Sequence, residues 1–119
     1  EGFPAGELKH GPIALIEDDL PVVVVVPSPR GVKLLHSKIV SNIQEIRARG
    51  AQTIVIAEEG DEAVREFANY LIEIPATSSI MQPLLATVPL QFLAADIARE
   101  CGNEDIDKPR NLAKSVTVE

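Results

Sequence analysis

The chain has 119 residues, 45% hydrophobic and 3% aromatic, with 11 basic against 18 acidic side chains and a formal charge of -7. That length holds one domain or part of one, and the composition describes an aliphatic interior of Val, Ile, Leu and Ala. The acidic balance argues against nonspecific nucleic-acid binding, which needs clustered Lys and Arg to neutralise phosphate. A single cysteine, Cys101, cannot form an internal disulfide, so nothing points to an oxidising compartment. No signal peptide is legible, and no apolar run approaches the length of a membrane span.

In chain order, residues 1–11 hold three glycines and a proline, which predicts a loop with one helical turn at most. The start at Glu1, inside a turn-like stretch, reads as a piece excised from a longer protein. Pro12 to Ile16 is a short apolar run, closed by the acidic turn Glu17-Asp18-Asp19. Val22 to Val26 follows, five valines in a row. An unbroken β-branched run predicts a strand buried on both faces, central in a parallel sheet. Pro27 to Gly31 ends it.

From Val32 to Arg49 the period lengthens. Val32, Leu35, Ile39, Ile43 and Ile46 share one helical face, and Gly50 is a natural stop. Gln52 to Ala57 reads as a second buried strand closed by Glu58-Glu59-Gly60, and Asp61 as the N-cap of a short helix over Glu62 to Ala68. Leu71 to Ile74 is a third strand, stopped by Pro75. This alternation predicts an α/β fold with a parallel sheet and right-handed crossovers.

Ser78 to Cys101 is apolar on most faces, more than a sheet-covering helix needs, so it lies deep in the fold or at an interface. Pro83 suits a first turn, whereas Pro89 should kink the helix or mark its true start. Thr77-Ser78-Ser79 could cap it, and Gly102 ends it. The tail, 107–119, carries Lys108, Arg110 and Lys114 among Leu112, Ala113, Val116 and Val118. That composition is richer in apolar residues than a free tail, which predicts a packed strip holding Lys114 in a defined place.

Few residues offer chemistry. His36 lies one step off the apolar stripe of its helix and reads as a surface side chain. His10 sits in a glycine-flanked loop beside Glu7 and Lys9, where an imidazole either shuttles protons or stabilises the loop. The two histidines, one cysteine and the acidic pairs Asp18-Asp19 and Glu58-Glu59, which read as turn and strand-end charge, do not form a metal set. No phosphate loop or dinucleotide fingerprint is present. Ser28, Ser78, Ser79 and Ser115 have no histidine and acid at triad spacing. Lys114 reads either as a solvated lysine or as an amine for anion binding or carbonyl chemistry. Imine formation needs the neutral amine, hence partial burial or a neighbouring positive charge.

Four stretches occur together and in order: Glu7-Leu-Lys-His-Gly-Pro12, Ile46-Arg-Ala-Arg-Gly50, Val88-Pro-Leu-Gln91 and Asp107-Lys-Pro-Arg-Asn-Leu-Ala-Lys-Ser-Val-Thr-Val-Glu119. Together they resemble the C-terminal end of the glucosamine-6-phosphate synthase family, the isomerising glutamine–fructose-6-phosphate aminotransferases. The resemblance covers essentially the whole chain. It implies a three-layer, mostly parallel, flavodoxin-like sugar isomerase (SIS) fold, present as a partial domain. Residues 1–101 would be the C-terminal portion of the second SIS domain and 102–119 an active-site tail. By position, Lys114 matches the lysine that forms a Schiff base with open-chain fructose 6-phosphate. His10 matches the histidine of sugar ring opening, which reaches the neighbouring subunit's site, and Ala113 matches a backbone contact to the sugar.

The family chemistry so implied is amination at C2 by ammonia from glutamine, then proton transfer between C1 and C2, without metal or organic cofactor. The implied protein is a cytoplasmic homodimer with an N-terminal glutaminase domain and a first SIS domain. The glutamate of proton transfer, the phosphate loop and the glutaminase cysteine all fall outside residues 1–119, and so does the first strand and helix of this SIS domain. The piece alone is therefore expected to be inactive. Two alternatives stand beside this: a fructosamine-6-phosphate deglycase of the same fold, and a sugar-phosphate-sensing SIS module without enzymatic activity.

Overall fold

A computed structural model describes residues 2–103 together with Asp105 and Ile106. Ala113, Lys114 and the rest of the tail lie outside the described residues.

Three strands, β1 (Pro21–Val25), β2 (Gln52–Glu58) and β3 (Tyr70–Ile74), form one sheet in the order β1-β2-β3. Both pairings are parallel, with Val24 opposite Val55 and Ile56 opposite Ile72. Parallel neighbours need a crossover, and helices supply it. Helix α1 (Lys33–Arg47) joins β1 to β2, and the single turn α2 (Glu62–Arg65) joins β2 to β3. Helix α3 (Gln82–Glu100) follows β3. Two 3-10 turns, Leu8–His10 and Pro12–Leu15, precede the sheet.

Side chains alternate across each strand and divide the core into two layers. On one face Val24, Val26, Val55 and Ala57 pack with Ile39, Ile43 and Ile46 of α1 and Val64 of α2. On the other, Ile56 and Ile74 pack with Ala86, flanked by Leu85 and Leu90 of α3. Helix, sheet, helix is the expected three-layer α/β architecture.

The turns at the amino end of the sheet are tied together. Asp19, at φ 64°, donates its N–H to the Gly50 carbonyl at 2.8 Å, and Gln52 Nε2 donates to Asp19 Oδ1 at 2.9 Å. Gly50, at φ 87°, has no room for a Cβ, which would collide with the Asp18 carboxylate. The acidic turn is thus a structural joint.

Three expectations need correction. Among the described residues the five-valine strand pairs only with β2 and is not central, with Val23 38% and Val25 43% exposed. Helix α3 packs over β2 and β3, so among the described residues the α3-side face of β1 is uncovered. His36 is buried, not superficial: its imidazole Nε2 lies 2.7 Å from Asp61 Oδ2, and both side chains are almost fully enclosed. The polar ring is satisfied by a carboxylate brought in from another element, which makes burial tolerable. Glu58 is the last residue of β2, as expected of a strand-end charge, and is buried and paired with Arg30. Finally, α2 stops at Arg65, because Phe67 and Ala68 turn inward onto the first core cluster.

Helix α3 begins at Gln82, with Pro83 in its first turn, and continues through Pro89. Pro89 is therefore not its start. The capping is by backbone: the Ser78 carbonyl accepts from Met81 N–H at 2.9 Å and Gln82 N–H at 3.1 Å, and no side-chain cap forms.

Candidate functional site

The carboxyl ends of parallel strands are where α/β sheets bind ligands, because the loops there converge on helix N-termini. In this chain that edge holds the β1–α1 loop, the β2–α2 turn and the β3–α3 loop. A cleft of about 610 Å³ opens beside β1, between the starts of α1 and α3. Its walls include Val25, Val32, Leu35 and Ala86, with Ser28, Ser79 and Gln82 as polar members.

Two of these polar groups, Ser28 and Gln82, are already engaged. Gln82 is buried, accepts from Ser28 N–H through Oε1 at 2.7 Å and donates through Nε2 to the Val26 carbonyl at 3.1 Å. Ser28 Oγ accepts from Arg30 N–H at 3.1 Å. The cleft therefore presents an apolar wall without a nucleophile–base pair among the described residues. Beside it, the Arg30 guanidinium donates to Glu58 Oε1 at 2.9 Å and to the Thr77 carbonyl at 3.3 Å, joining all three loops. One Glu58 oxygen, Oε2, is buried without a partner among the described residues. The neighbouring Asp61 holds His36 through Oδ2 and caps α2 by accepting from Ala63 N–H through Oδ1 at 3.2 Å.

His10 lies elsewhere. It closes the first 3-10 turn, donates its backbone N–H to the Glu7 carbonyl at 3.0 Å, and exposes its side chain. Gly11 follows at φ 151°, a conformation that favours glycine and turns the chain directly into Pro12. No hydrogen bond or ion pair of the imidazole occurs among the described residues, and His10 does not line the cleft. The structure thus brings His36, Asp61, Arg30, Glu58 and Gln82 to one edge of the sheet but leaves His10 apart from them. The other two predicted site residues, Ala113 and Lys114, lie outside the described residues.

Reasoning from residues missed Gln82, Arg30 and Glu58. A lone amide opening an otherwise apolar helix was the available signal for Gln82. Arg30 and Glu58 are too far apart in sequence to be paired without the fold. No group of three or more His, Cys, Asp or Glu that could hold a metal occurs among the described residues. Among them no helix is long and apolar enough to cross a membrane.

Comparison with known proteins agrees with this architecture. The family model of the SIS domain matches residues 1–99. A glutamine–fructose-6-phosphate aminotransferase (isomerizing) of Streptomyces coelicolor is 75% identical over 119 residues, all of this chain and 19% of that protein. Its namesake in Mycobacterium tuberculosis is 71% identical over the same span. The solved C-terminal domain of glucosamine-fructose-6-phosphate aminotransferase from Francisella tularensis superposes with a TM-score of 0.74 at 39% identity, covering 92% of this chain and 30% of that one. The chain spans about one fifth of the length of the curated relatives it matches. The resemblance carried by Glu7–Pro12 and the terminal motif thus extends over every residue. With its parallel three-layer sheet and a domain match over residues 1–99, the chain belongs to the SIS domain family.

Proposed function

We infer that this chain is the end of a glutamine–fructose-6-phosphate aminotransferase that makes glucosamine 6-phosphate and glutamate. The observation that carries the reading is the 75% identity over all 119 residues to a protein of that name. Residues 1–101 are the later part of the second SIS domain, and 102–119 are an active-site tail. The uncovered face of β1 and its unpaired outer edge support a partial domain. An apolar parallel edge strand, with Val23 and Val25 half-exposed, is completed by further chain of the same protein.

Lys114 is the amine that adds to the C2 carbonyl of open-chain fructose 6-phosphate and expels water to form an imine. Ammonia released from glutamine then takes its place at C2, and proton transfer between C1 and C2 gives the aldose. Ala113 lines the sugar through its backbone. His10 serves ring opening: an exposed imidazole on a turn braced by hydrogen bonds can present itself to a sugar held by other chain. Its separation from the cleft supports a role in a neighbouring subunit's site within a cytoplasmic homodimer. The rest of the site comes from a first SIS domain and the ammonia from an N-terminal glutaminase domain. No metal or organic cofactor enters this chemistry.

The test uses the full-length protein beside its Lys114→Ala variant. Each is incubated with fructose 6-phosphate and borohydride and weighed by intact-mass spectrometry. A sugar-phosphate adduct on the wild type alone, with glucosamine 6-phosphate formed when glutamine is supplied, is the expected result. An adduct without glutamine-dependent product would favour a deglycase. No adduct despite sugar binding would favour a sensing module.

A further inference from the structure

We propose, on the reading of His10 as the group that opens the sugar ring, that Asn42 is its positioning residue. The Asn42 side chain reaches from α1 and donates Nδ2–H to the Ala5 carbonyl at 3.0 Å. Two backbone bonds carry that anchor on to the histidine. Glu7 N–H donates to the Pro4 carbonyl at 2.8 Å, and His10 N–H donates to the Glu7 carbonyl at 3.0 Å. Residues 4–10 are thus two linked turns, and Asn42 ties the first of them to the helix.

Among the described residues this is the one side-chain hydrogen bond made to the backbone of residues 2–16. Ala5 and Leu8 add apolar contacts to the core that α1 covers, and Ile16 adds another beyond the second turn. Lys9 to Leu15, the stretch between, has no residue in that cluster. The imidazole of His10 is exposed in this stretch, so its position is set by where its turn is pinned.

Helix propensity does not explain Asn42. Asparagine is a poorer helix former than alanine, because its amide competes for nearby backbone groups. It lies one turn from Ile39 and from Ile46, at the rim of the stripe that α1 buries, and is half-buried itself. Its amide crosses 37 residues of sequence to a carbonyl in an irregular turn, a group that needs a donor when water is partly excluded. Only the amide can serve: an aspartate of the same shape has no proton to donate. Proton transfer to a ring oxygen needs the imidazole nitrogen within about 3 Å, and a displacement of about 1 Å can cost up to about 100-fold. A clamp five residues away on two bonded turns acts on that distance.

The test uses the full-length protein, assayed for glucosamine 6-phosphate with glutamine. The sugar is either fructose 6-phosphate or its 5-deoxy analogue, which lacks the hydroxyl that closes the ring. Asn42→Ala removes the amide. Asn42→Asp keeps its shape without the donor, so that one misfolded variant does not end the experiment. Ser37→Ala, which removes a bond to the Leu34 carbonyl on the same helix, is the control and should leave both rates unchanged. Both Asn42 variants should lower kcat on fructose 6-phosphate by about 10-fold, with KM and the rate on the acyclic analogue unchanged. In a His10→Asn background Asn42→Ala should cost nothing further, because no imidazole is left to position. Equal losses on both sugars would make Asn42 a general support of the fold. Losses that multiply with His10→Asn would separate it from the imidazole, and no loss would show that Ala5 and Leu8 hold the turn unaided. Each of these overturns the proposal. If His10→Asn itself slows both sugars equally, the ring-opening reading fails, and the role of Asn42 falls with it.

Discussion

The side chain of Gln82, in the first turn of α3, closes the end of β1. It accepts from Ser28 N–H at 2.7 Å and donates to the Val26 carbonyl at 3.1 Å. One amide fastens the helix of one layer to the strand end beside the cleft. Gln82→Met keeps the volume but strands two buried backbone groups, each costing about 1–3 kcal/mol when unmade. A loss of about 3 kcal/mol is expected in urea unfolding of the parent's C-terminal domain. A change below about 0.5 kcal/mol, the size of an ordinary surface substitution, would show that water replaces the amide freely.

His36 and Asp61 join α1 to the turn that opens α2. Asp61→Ala removes the partner of a buried imidazole and a helix cap together, for a loss of about 2 kcal/mol. His36→Ala loses the ring and its contacts but leaves the cap. A double-mutant cycle on the two should return a coupling of about 1 kcal/mol or more. Additive losses would mean that the 2.7 Å contact contributes nothing of its own.

Arg30 is exposed over 58% of its side chain, while Glu58 is 5% exposed with one oxygen unpaired among the described residues. Solvent screens the arginine's half of this pair, so its intrinsic contribution is about 1 kcal/mol. The stability effect lies in what its removal leaves behind. Arg30→Ala in the wild-type background should destabilise more than Arg30→Ala combined with Glu58→Gln does relative to Glu58→Gln alone, because only the first leaves a buried carboxylate unpaired. Equal losses in thermal unfolding would refute this order.

Gly50→Ala tests the joint at the amino end of the sheet. The new Cβ meets the Asp18 carboxylate, and φ of 87° is strained for any L side chain. The expected cost is about 1–3 kcal/mol. Combining it with Asp18→Ala should recover only part, since Asp18 Cα lies 3.0 Å from the same Cβ position. Full recovery would assign the whole effect to the carboxylate.

Within the proposed aminotransferase, Lys114→Ala should abolish the borohydride-trapped adduct. His10→Asn should leave trapping of open-chain sugar intact while lowering turnover of the cyclic substrate by about 10²–10⁴-fold. Comparing cyclic fructose 6-phosphate with an analogue that cannot cyclise separates the two roles. An equal loss on both substrates would remove His10 from ring opening.

Much of the fold was legible because its signals are local. The strand at Gln52–Glu58 and the helix at Lys33–Arg47 follow from runs and periods inside a single window. Their alternation is enough for a parallel sheet, since a helix between two strands carries the chain back to the same end. The His10 loop was legible for the same reason, through Gly11 and Pro12 around one histidine. What escaped depended on partners far away. His36 seemed superficial because its helix gives no reason to bury it. The reason is Asp61, 25 residues on. The five valines read as central because they are apolar on both faces, and nothing within the run tells whether a covering layer is present.

The residues by themselves determined the class of the fold, the order of its elements, the family resemblance and the candidates His10 and Lys114. Each of these is a matter of side-chain type and spacing along the chain. Tertiary structure alone decided that β1 pairs only with β2 among the described residues, that His36 is enclosed and that Gln82 binds β1 to α3. It also decided that Arg30 meets Glu58. Burial and pairing are properties of groups brought together from distant positions, and only the folded chain brings them together.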